Sequence, residues 1–168
     1  MAALAERLPA FLKGEDRSKD PAEGLGFAEI CNKRSRYATA AHLWSEALKA
    51  DPKLGGDRLK QPRYNAACAA ALAAAGQGKD EPPPDDDAKA KLRGQALGWL
   101  RAELAAWKLL GETQPQARPA VIQTLQHWQE AFDLTSVRDR EALAKLPQAE
   151  RQAWEALWAE VEKMAQTP

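Results

Sequence analysis

Residues 64–75 read Tyr64-Asn65-Ala66-Ala67-Cys68-Ala69-Ala70-Ala71-Leu72-Ala73-Ala74-Ala75. Alanine is the best helix former, and its lone methyl group lets a second helix approach closely. The segment therefore predicts a helix around which other helices pack at short range. The rest of the sequence is written the same way. It holds 35 Ala and 20 Leu against 2 Ile, 3 Val and 5 Thr. The β-branched residues that favour sheets are almost missing, so the fold class is all-α.

Helical spacing and breaker residues divide the sequence into about seven helices. Leu4, Leu8, Phe11 and Leu12 mark the first, stopped by Gly14 and kinked or shortened by Pro9. Asp20-Pro21-Ala22-Glu23 is a capping box with proline at the first helical position, and it opens a helix to about Lys33. Ala40, Leu43, Trp44, Ala47 and Leu48 form the apolar stripe of the next, ended by Asp51-Pro52. A third main helix runs from Leu59 to Ala75. Asp86 or Asp87 caps a long helix that Gly111 stops. Another starts between Pro115 and Pro119, and the last starts at Pro147 with Trp154, Leu157, Trp158, Val161 and Ala165 on its buried face. Residues 133–145 are expected to be a linker with a short helix over 139–145.

Between Gly76 and Asp87 lies Gln-Gly-Lys-Asp-Glu-Pro-Pro-Pro-Asp-Asp-Asp, which reads as a solvated loop of polyproline character. As a spacer it only joins two helices. The alternative is a docking peptide for a proline-recognition domain.

The charge balance, 24 basic against 24 acidic residues, excludes a whole-domain basic field for nucleic acid or an anionic membrane. No stretch approaches the ~20 apolar residues of a membrane span, and Glu6-Arg7 puts charge too early for a secretory signal. Cys31 and Cys68 are too few for a disulfide scaffold or a zinc site. These observations predict a reduced, cytoplasmic protein with no cofactor and no metal.

The 34 residues Pro21 to Leu54 carry Phe27-Ala28, then Tyr37, Ala40, Trp44, Ala47 and Pro52. This pattern resembles the tetratricopeptide repeat, in which small residues sit where two helices touch and aromatics fill the wedge between repeats. Residues 59–110 resemble a second unit stretched by the 76–87 loop, and 115–166 a third helix pair. Longer blocks go further. They are Arg7-Leu-Pro-Ala-Phe-Leu-Lys-Gly-Glu-Asp16, Arg63-Tyr-Asn-Ala-Ala-Cys-Ala-Ala-Ala-Leu72, Leu125-Gln-His-Trp-Gln129, Leu143-Ala-Lys-Leu-Pro147 and Glu150-Arg151. Together they resemble the repeat-containing C-terminal region of large planctomycete serine/threonine protein kinases. No Gly-rich phosphate loop, catalytic-loop motif or Asp-Phe-Gly is present, and Arg138-Asp139 lacks the rest of its motif.

The resemblance implies a single TPR-like domain over 1–168: a right-handed stack of helix pairs, non-catalytic, that binds a protein or peptide. The alternative is a homodimer with no separate ligand. In repeat arrays of this kind the first helix of each pair lines a concave groove. The resemblance thereby assigns Leu25, Glu29, Asn32 and Lys33 to the groove, with Tyr64, Asn65, Cys68 and Leu72. Asn65 is set either to hold an extended peptide backbone or to brace a neighbouring helix. Leu25 and Glu29 stand where the carboxylate clamp for heat-shock chaperone C-termini has Lys and Asn, which argues against that ligand.

Other chemistry-bearing residues have plainer readings. His42 and Glu46 share a helix face at i, i+4, but no further ligand has similar spacing, and His127 is isolated beside Trp128. Both histidines read as structural. Cys31 and Cys68 read as small buried thiols, with a disulfide as the alternative. Of six tryptophans, Trp44, Trp154 and Trp158 fall on apolar stripes, whereas Trp107 or Trp128 is a candidate exposed anchor.

Overall fold

The computed structural model describes residues 2–166. The described residues form eight α-helices joined by turns and three 3-10 segments, with no strand among them. The helices are α1 (Ala2–Leu12), α2 (Pro21–Lys33), α3 (Tyr37–Ala50), α4 (Pro62–Ala74), α5 (Asp86–Thr113), α6 (Arg118–Glu130), α7 (Arg140–Leu143) and α8 (Gln148–Gln166). The eighth, the single turn α7, falls within the short helix expected over 139–145. The all-α class follows from the alanine and leucine content, as the residues dictate.

The alanine helix α4 is the centre. Residues 66–74 are all buried, and α3, α5 and the 3-10 segment Phe132–Val137 pack against it. α2 pairs with α3, and α6 with α8. α5 has 28 residues, a length of about 42 Å, and runs past α4 to reach α6 and α8. One continuous core results. Trp44, Trp128 and Trp154 are its largest fully buried side chains.

Local chemistry explains most boundaries. Asp20 caps α2 by accepting the Glu23 amide at 2.8 Å. Glu23 reaches back one residue further than a simple box, to the Lys19 amide at 2.7 Å, and its other oxygen accepts from Arg7 at 2.6 Å. Four boundaries differ from expectation. Pro9 neither ends nor shortens α1, and it sits on the exposed side. α4 starts at Pro62 rather than Leu59, because Asp57 folds 57–61 into a turn and Gln61 takes a left-handed φ of 45°. The cap of α5 is Asp85, which accepts the Ala88 amide at 2.8 Å. Gly111 does not stop α5. It lies inside the helix, where a Cβ would sit 3.6 Å from Val121, and Pro115 closes the segment instead.

The 76–87 loop is not a free spacer. Asp80 accepts hydrogen bonds from the Ala38 and Thr39 amides, both at 2.9 Å, and from the Thr39 hydroxyl at 2.6 Å. The Lys79 amide donates to the Ser35 carbonyl at 2.7 Å. Because the Arg36 side chain does not cap α3, the loop supplies the missing acceptor.

Candidate functional site

The face of α4 expected to line a groove is covered. Tyr64 stacks on Trp128 with ring centroids 5.4 Å apart, and the Ser136 hydroxyl donates to the Ala71 carbonyl at 3.3 Å. Tyr64, Cys68 and Leu72 are buried. Burial pushes the Tyr64 phenol up and the Cys68 thiol up to about 12. These three side chains are therefore core, which corrects their expected exposure. The physical reason is the segment 132–137, expected as linker, which packs as a 3-10 turn with Leu134 and Val137 buried.

The remaining expected residues separate. Leu25 is buried, but with Glu29 it borders an open cleft of about 600 Å³. The opposite wall holds Leu54, Asp57, Lys60 and Pro62. Asn32 is half-buried and Lys33 exposed, and neither borders that cleft. Asn65 is a brace: its side-chain amide donates to the Lys60 carbonyl at 2.8 Å.

That brace is one of several on the turn 57–61. Asp57 accepts the Leu59 amide at 3.0 Å and the Lys60 amide at 2.9 Å, and these donors hold its carboxyl below the usual range. Arg58 donates to Glu103 at 2.6 Å, and its guanidinium lies 4.8 Å from the centre of the Trp107 ring. The turn is thus tied to α4 and α5, yet Leu59 at its tip is 97% exposed. Leu109 and Phe132 are the other large apolar side chains left exposed among the described residues. Trp107 and Trp128, the expected anchors, are both buried.

Glu103 is only 1% exposed, and two arginines meet it. Arg63 Nε donates to its second carboxylate oxygen at 2.9 Å. Sequence reasoning passed over it, although a signal was present. Position 103 shares the helical phase of Leu100, Leu104 and Trp107, so a carboxylate there had to be buried and paired.

His42 is exposed, and Glu46 pairs with Lys49 at 3.2 Å rather than with His42. His127 is exposed, its ring 6.2 Å from Tyr64. Among the described residues no three His, Cys, Asp or Glu side chains are grouped so as to hold a metal. Cys31 and Cys68 are both free and buried. No helix among the described residues is long and apolar enough to cross a membrane. No family model, curated protein or solved structure matches the sequence.

Proposed function

We propose that the protein is a non-catalytic protein-interaction module. Its helix pairs stack in the manner of tetratricopeptide repeats, and it serves as an accessory region in a bacterial serine/threonine kinase system. The observation that carries the reading is Leu59. A leucine 97% exposed on a turn held by Asp57, Asn65 and Arg58 gives a partner a fixed apolar contact. A preorganised contact lowers the ordering entropy of binding. The cleft behind it, bordered by Leu25, Glu29 and Lys60, would take the flanking residues of the partner.

Affinity capture with the wild-type protein and with Leu59→Ser tests this. A partner retained by wild type and lost by the variant supports docking at the turn. Equal retention removes the turn from the reading. A second reading, self-association, is favoured by Phe132, which is 72% exposed. Light scattering decides it: a mass that doubles with concentration and returns to the monomer in Phe132→Ser supports the homodimer.

A further inference from the structure

A second cleft lies on another part of the surface, between α3 and α5. Its volume is about 360 Å³, within the range of small-molecule sites. Ser45 and Leu48 contribute from α3, Arg63 from α4, and Gln95 and Trp99 from α5. We propose that it binds an organic carboxylate, a single carboxylate group carried on a small apolar or aromatic body. The proposal is independent of the interaction surface at Leu59.

Three observations carry it. The first is charge. Arg58 and Arg63 share the one carboxylate of Glu103, which leaves one positive charge uncompensated. Arg58 rests on Trp107 and does not line the cleft, whereas Arg63 does. Only Nε of Arg63 is engaged with Glu103, so its terminal amino groups remain as a donor edge beside the cleft. No carboxylate is among the described residues that line it, and its only other charge is Lys49. A guanidinium edge recognises a planar carboxylate by paired donation. One uncompensated charge matches a monoanion.

The second observation is Ser45. It is 5% exposed and lines the cleft. A hydroxyl placed there can donate to an oxygen of a carboxylate bound in the cleft. The third is shape. Gly55 is buried, and a Cβ on it would come within 3.3 Å of Cδ, Nε and Cζ of Arg63. The missing side chain is what lets the guanidinium lie where it does. Leu48, Pro52 and the half-buried Trp99 then offer apolar contact to whatever carries the carboxylate.

The test is an amide NMR titration of the 168-residue protein with benzoate, with N-acetylleucine, and with N-acetylleucinamide as the uncharged control. Saturable shifts at Ser45, Gly55, Gln95 and Gly98 are expected for at least one acid, with Kd on the order of 1 mM or tighter, and none for the amide. Binding of benzoate alone marks the ligand as a free small acid. Binding of N-acetylleucine as well extends the site to the terminal carboxylate of a peptide. Ser45→Ala and Gln95→Ala, which leave the Glu103 ion pairs intact, should each weaken binding about fivefold to tenfold. The proposal fails if neither acid gives saturable shifts up to about 50 mM. It also fails if the shifts fall outside the cleft, if the amide binds equally, or if both variants bind like wild type.

Discussion

Asp80 caps α3 through Thr39, a residue 41 positions earlier in the sequence, by accepting both the Thr39 amide and the Thr39 hydroxyl. The side chain that starts this helix thus comes from beyond α4 in the sequence. Asp80→Ala should lower stability by about 1–2 kcal/mol, the loss typical of a cap. Deleting Glu81 to Pro84, which leaves Asp80 in place, should cost less than Asp80→Ala, since loop closure depends weakly on length. Urea unfolding of both variants decides. If the deletion is the more damaging, the proline segment itself is docked.

Glu103→Gln should be among the most destabilising single substitutions in the protein. It leaves two guanidiniums facing a buried neutral amide, and breaking such a cluster from one side costs about 3–5 kcal/mol. Replacing all three partners at once, with Arg58→Met, Arg63→Met and Glu103→Leu, should recover much of that loss. A thermal midpoint for Glu103→Gln within about 2 °C of wild type would show that the cluster is not stabilising.

Acid should loosen the junction of α1 and α2. Arg7 donates to Asp16 at 2.7 Å and to Glu23 at 2.6 Å. The Arg7 guanidinium, with the Arg17 amide, holds the Asp16 carboxyl below its ordinary range, and the Lys19 amide with Arg7 does the same for Glu23. Folded pKa values below the unfolded ones mean that the unfolded state takes up protons first. The stabilisation is therefore complete at neutral pH and is lost as pH falls below about 4. In Arg7→Gln the thermal midpoint should fall less steeply over the same range. Equal slopes for the two proteins would remove Arg7 from this role.

Neither cysteine should react in the folded protein. Burial raises the Cys31 thiol and pushes Cys68 up to about 12, so almost no thiolate is present at about pH 8. A disulfide-exchange reagent should find both thiols in urea and neither in native buffer. Rapid native labelling of one cysteine would show that its helix opens locally.

Periodicity and breaker residues carried most of the helical architecture, because both act within a few positions of one another. Trp44 is buried on the stripe that Ala40 and Leu48 define. What did not show is interaction at long range. Nothing near Asp80 points to Thr39, and nothing near Asn65 points to Lys60 rather than to a ligand. The segment 132–137 looked like linker because six residues hold too little pattern to reveal a packed face. Its burial follows from its packing against α4.

The order in which α4 acquires its neighbours has a bearing on biosynthesis. Of its covering elements, α3 and the 3-10 segment Pro52–Gly56 precede it in the sequence, while α5 and the segment ending at Val137 follow it. A nascent polypeptide that has emerged only as far as Ala75 therefore presents an alanine helix closed on one flank and bare on the others. Such exposed apolar surface is what nascent polypeptides aggregate through, and what chaperones hold. The centre of the protein closes only when residues far downstream have been translated, so a ribosome stalled before Val137 would display a half-enclosed and sticky intermediate.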